Sequence, residues 1–161
     1  ATEEQLVGYV LRRSFPITHE AARLIVSRTK FSGAPWEALE LYRMSVTAAK
    51  GAGDNEVTIA HVQKIFGRQG VDELGLHWID RMVIKALLGQ PRERQFKGKP
   101  QFVCYSASES NTCTLAGVDK EEYRTAIRPK LMARKLMESK PYYGQALTKK
   151  AVELYMHLLD E

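Results

Sequence analysis

Lys120, Arg124 and Arg128 stand four residues apart, and Arg134 and Lys135 follow at the end of the same stretch. If the stretch is helical, the first three form a cationic row whose spacing suits successive backbone phosphates of a nucleic acid. Arg92, Arg94, Lys97 and Lys99 precede it, and Lys149 and Lys150 come after. Contact by roughly four to six of these cations predicts sequence-independent binding, with log affinity falling against log salt at a slope of about −4 to −5. Glu121 and Glu122 suit a helix start but oppose a phosphate. The competing expectation is a solvated face in which Glu121 pairs with Arg124 or Arg128.

A second stretch, "KFSGAPWEALELYR", reads as a turn followed by a helix start. Pro35 falls where a missing N–H does no harm, and Trp36 comes next. No phosphate-binding loop of the G-x-x-x-x-G-K-[ST] type occurs in the chain, so ATP hydrolysis by it is not expected. His19, His61, His77 and His157 lie scattered, and Cys104 and Cys113 have no C-x-x-C spacing. Neither a metal site nor a disulfide framework is expected, and a reduced, cytoplasmic setting is. No apolar run is long enough to span a membrane.

The elements that position these residues fall into two parts. Residues 1–75 carry 9 Lys/Arg and 9 Asp/Glu, whereas 76–161 carry 15 and 10, so the whole net charge of +5 lies in the second half. That asymmetry suits a neutral module joined to one facing an anion, and equally a basic solvated surface. Apolar spacing predicts helices over 3–14, 19–30, 35–49 and 58–66, with Thr18 and Thr58 as caps and Leu39, Tyr42, Val46 and Ala49 as the third helix's inner stripe. Four short-looped helices make a small bundle.

Residues 70–76 read as a hinge whose Asp72 and Glu73 cap the next helix. That helix is expected to bury Trp78, Ile79, Met82, Val83, Ala86 and Leu87. Residues 89–101 read as a loop and 102–105 as a strand, followed by a helix capped by Ser106. Asp119 caps a longer helix, 120–135, which Pro129 is expected to kink. Two strands around "KPYYGQ" and a final helix at 149–159 complete a winged-helix plan. The expected fold is mainly α: a bundle over 1–70 and a winged helix over 71–161.

In this order the two modules resemble the C-terminal half of the RuvB family, the AAA+ motors of Holliday-junction branch migration. "TEEQLVGYVLRRS" resembles the first helix of that family's lid, and "ITHEAARLIVSRTKFSGAP" its second helix with a Gly-x-Pro turn. "VDELGLHWIDRMVIKALL" resembles its linker and first winged-helix helix, and "EEYRTAIRPKLMARKLMESKPYYGQALTKKAVE" its recognition helix and wing.

The resemblance implies a portion of a DNA helicase of recombination and repair. Its parent binds ATP and Mg²⁺ through a core this chain lacks, and forms a homohexamer on duplex or junction DNA with a junction-binding partner protein. It also implies departures. The lid arginine after Gly-x-Pro is Trp36, which cannot pair with phosphate as a guanidinium does; Pro35 and Trp36 are the nucleotide-site candidates, with stacking on adenine open to the indole and burial against the core the stronger expectation. The Arg-Gly-Arg wing tip that meets the DNA backbone is Tyr143-Gly144-Gln145, without either charge, so Tyr143 and Gln145 are the wing's candidate DNA contacts, with Tyr142 and Tyr143 able to stack or bond to phosphate. Asp80-Arg81 matches a family pair, read as a salt bridge between lid and winged helix. Two other readings remain open: a winged-helix adaptor that binds a protein, and the C-terminal region of an initiator-type AAA+ protein.

Overall fold

The structure, a computed structural model, describes residues 1–94, 98, 102–140 and 144–161. Tyr142, Tyr143, Lys97 and Lys99 lie outside the described residues. The chain divides into two compact units, Ala1–His77 and Trp78–Glu161.

The first unit is a four-helix bundle of α1 (Glu3–Leu11), α2 (His19–Thr29), α3 (Trp36–Gly51) and α4 (Ile59–Gln69). The Thr18 hydroxyl accepts the Ala21 N–H, and Thr58 caps α4, each satisfying a donor the first turn leaves unpaired. His61 completes the α4 box: its Nδ1 accepts the Thr58 N–H at 2.9 Å, which leaves the proton on Nε2, 2.8 Å from Asp54 Oδ2. Leu6, Val10, Ile25, Leu41, Val62 and Ile65 meet in one apolar core. The inner face of α3 runs through Ala38, Leu41, Tyr42, Ser45 and Ala49, rotated from the expected stripe, with the small Ser45 inside in place of Val46. Its hydroxyl bonds to the Leu41 carbonyl at 2.8 Å, so burying it leaves no donor unpaired.

Residues 71–77 belong to this unit. Arg28 donates to the Asp72 carbonyl at 2.7 Å and lies 3.6 Å from Glu73. Asp72 Oδ1 accepts the N–H groups of Leu74 and Leu76, so it caps its own turn rather than the following helix, which begins only at Trp78.

The second unit contains α5 (Trp78–Leu88), β1 (Pro91–Arg94), β2 (Phe102–Ala107), α6 (Glu109–Ala116), α7 (Lys120–Glu122), α8 (Arg128–Ala133), β3 (Met137–Lys140), β4 (Gly144–Leu147) and α9 (Lys149–Tyr155). The strands form an antiparallel sheet in the order β1-β2-β4-β3. Part of the expected 89–101 loop is therefore strand: β1 pairs along β2 with Arg92 opposite Cys104. Because β2 runs on to Ala107, Ser106 is buried within it, and Ser108 caps α6 instead.

The inner face of α5 is Asp80, Val83, Ile84, Leu87 and Leu88, leaving Trp78 and Met82 exposed. A polar residue on the inner face displaces the apolar stripe. The architecture is the expected one, mainly α, a bundle followed by a winged helix.

Candidate nucleic-acid interface

Asp119 caps α7 by accepting the Glu122 N–H at 3.1 Å. The helix then widens into a π-helical turn, Tyr123–Ile127, in which the Arg128 N–H reaches back five residues to the Tyr123 carbonyl. Pro129 consequently falls in the first turn of α8, where its missing N–H is harmless. The expected kink is thus a change of helical register ahead of the proline. Such turns occur often at functional sites.

Tyr123, Ile127 and Leu131 face inward and are fully buried. Burial pushes the Tyr123 phenol from 10.0 up to about 12, and its hydroxyl lies 3.6 Å from Met137 Sδ. A group whose folded-state pKa is raised contributes stability that is complete below its unfolded value and is lost as pH rises through the folded one. The unit is therefore expected to lose stability between about pH 10 and 12. Tyr123→Phe should flatten that loss in alkaline denaturation followed by circular dichroism.

The cations of the row have different surroundings. Lys120 is exposed at the helix start. Arg124 is held by Glu109 of α6 in a two-pronged pair, Nε to Oε1 at 2.6 Å and Nη2 to Oε2 at 2.9 Å. Arg128 stands 3.8 Å from the same carboxylate and 5.8 Å over the Tyr123 ring. The hydrogen bond from Arg124 holds the Glu109 carboxyl below the usual carboxylate range. The local pair expected with Glu121 is replaced by this one, which joins two helices.

Arg134 is a correction. It is 2% exposed, and its Nη1 donates to the Lys130 carbonyl, so its guanidinium belongs to the interior and cannot meet a phosphate. Of the Asp80-Arg81 pair, Asp80 Oδ2 binds Lys130 Nζ at 3.1 Å, buried within the second unit. Lys135 is exposed in a left-handed backbone conformation, φ 57°, ending α8 where glycine is usual. Its carbonyl accepts the Thr148 hydroxyl at 2.7 Å, and Lys150 Nζ donates to the Arg134 carbonyl at 3.0 Å. These bonds bring Lys135 and the exposed Lys149 to one corner, with Glu153 3.9 Å from Lys149.

Gln145 is half-buried on β4. Gly144 before it has φ +74°, and a Cβ there would lie 3.2 Å from the Ala107 carbonyl oxygen. Only glycine fits that turn comfortably.

In the first unit, Pro35 precedes α3 and Trp36 is 38% exposed, not buried, because the inward positions of the first turn go to Glu37 and Ala38. These two residues do not fit a nucleotide's phosphates: proline has no N–H, and an indole offers one neutral donor. Arg12 shares a shallow cleft with Pro35, and Arg28 is committed to Asp72. Among the described residues, no group of three His, Cys, Asp or Glu is placed to hold a metal ion. None of the described helices is long and apolar enough to cross a membrane.

A helical bundle followed by a winged helix is thus the class of fold. No family model matches the chain, and no curated protein does. Among solved structures, the RuvB Holliday junction branch migration motor of Thermotoga maritima matches with a TM-score of 0.67 at 20% identity, over 95% of this chain. Two single-substitution variants of that protein match equally well. The likeness is one of fold, consistent with a RuvB C-terminal half. This chain spans 48% of the length of the structures it matches.

Proposed function

We propose that this chain is the lid and DNA-holding region of a RuvB-like branch-migration motor. The bundle acts as the lid, and ATP and Mg²⁺ bind a core outside this sequence. The winged helix grips duplex or junction DNA through its phosphates, in a homohexamer working with a junction-binding protein in the cytoplasm. The observation that carries this reading is a fold match over 95% of the chain to a junction motor, joined to a basic face on the unit expected to meet DNA.

Of the cations in the row and at its corner, Lys120, Lys135 and Lys149 are exposed and clear of Glu109, while Arg124 and Arg128 are held by it. Three phosphate contacts give a slope of log affinity against log salt of about −3, shallower than the count of basic residues suggests. Anisotropy titrations of labelled duplex and four-way junction from about 50 to 200 mM salt measure it. The Lys120→Ala/Lys135→Ala/Lys149→Ala variant should bind weakly and with little salt dependence. Absence of binding at low salt, or binding indifferent to salt, overturns the reading.

A further inference from the structure

The four-helix unit carries an open groove between the second halves of α3 and α4, about 440 Å³ in volume, within the roughly 300–1,000 Å³ usual for binding clefts. Its apolar floor is the half-buried Met44 and Ala48 above the buried Ile65, and Lys64 and Arg68 stand one turn apart along the α4 edge. Both cations are exposed, and neither has an ion-pair partner among the described residues. α4 contains no acidic residue, and α3 contains none after Glu40. On the α3 side, a Cβ built on Gly51 would meet nothing within 4 Å, so the wall there is bare backbone open to close approach.

Two unneutralised cations beside an apolar floor call for an anionic partner with an apolar face. A nucleic-acid backbone would satisfy the cations but leave the half-buried Met44 and Ala48 uncovered. An amphipathic helix flanked by carboxylates satisfies both, in the helix-in-groove mode.

We propose that this groove docks an acidic amphipathic helix of another protein, its apolar side chains on the Met44–Ala48 floor and its carboxylates paired with Lys64 and Arg68. The probe is a labelled peptide of about 18 residues, long enough to be helical, with leucines at i, i+3, i+4 and i+7 and glutamates beside them. Anisotropy with the full chain should show saturable binding that Lys64→Glu/Arg68→Glu weakens at least about tenfold. The same peptide with lysines for glutamates should prefer that variant over the wild type. Gly51→Trp, which fills the groove from an open position, should also abolish binding while leaving thermal unfolding unchanged.

No binding, or binding unaffected by charge reversal, overturns the proposal. So does duplex DNA whose affinity falls in the Lys64/Arg68 variant, or self-association of the chain that the same substitutions abolish, since each names a different occupant.

Discussion

Asp80→Ala is expected to cost about 3–5 kcal/mol of folding stability in the second unit, the usual loss when one partner of a buried ion pair is removed. Asp80 is 1% exposed on the inner face of α5, and Lys130, on α8, is 7% exposed with its ammonium 3.1 Å from the carboxylate. Without the carboxylate, the Lys130 ammonium stays buried and loses that counter-charge, with Arg134 buried one turn further on. The cost is that of an uncompensated charge, and it should exceed the worth of the pair itself. Asp80→Leu/Lys130→Met, which replaces both charges by apolar groups of similar size, should recover most of the loss. Urea unfolding read by circular dichroism checks both variants, with the first unit's transition as an internal reference because the units need not unfold together. A loss below about 1 kcal/mol for Asp80→Ala would mean that the pair is hydrated rather than buried.

This pair also shows where sequence reading succeeds and fails. Thr18, Thr58 and Asp119 announce helix starts because a cap is a local device: the side chain meets N–H groups two or three residues on. The β3–β4 hairpin is legible for the same reason, through a turn glycine between short strands. The face of a helix is legible only if every buried residue is apolar. In α5 the buried Asp80 breaks that rule, and Trp78 and Met82, apolar but outward, complete the false stripe. The partner that makes Asp80 tolerable lies fifty residues away, beyond any local pattern.

Arg134 fails likewise. A terminal arginine on a basic helix reads as solvent-facing, and only tertiary packing turns it inward. The strand β1 is hidden by its proline and charges, features that suit an edge strand as well as a loop. The size of Trp36 argues for the core, yet the first turn of α3 gives its inward places to Glu37 and Ala38. At the candidate interface the row Lys120–Arg124–Arg128 is legible from spacing, but the role of Glu109 is not. Nothing in the residues of α6 marks one acid as the counter-ion of a helix that follows it.

Glu109→Gln is expected to tighten duplex binding about tenfold at low salt and to steepen the salt slope from about −3 toward −4 to −5. In the wild type, a phosphate approaching Arg124 competes with a carboxylate already bonded at 2.6 and 2.9 Å. Arg128 shares the same acid at 3.8 Å. The substituted amide keeps the shape and a hydrogen-bonding oxygen but carries no charge, so both guanidiniums become available and one repelling charge disappears. Because the folded-state pKa of Glu109 is lowered, the ion pair is complete above the ordinary carboxylate range and is lost only as pH falls through the lowered value. At neutral pH the acid is fully charged, and the variant's gain is therefore full there. The gain should shrink as pH falls and the wild-type acid takes up its proton. Arg124→Gln placed in the Glu109→Gln background should remove most of the gain, whereas Arg124→Gln alone should change affinity little, since that arginine is already occupied. This non-additivity is the diagnostic, because a merely structural role for Glu109 predicts weaker binding and a lower unfolding midpoint instead. Equal affinities and slopes for wild type and Glu109→Gln would show that this face of α7 and α8 does not meet DNA, leaving Lys135 and Lys149 as the anchoring corner.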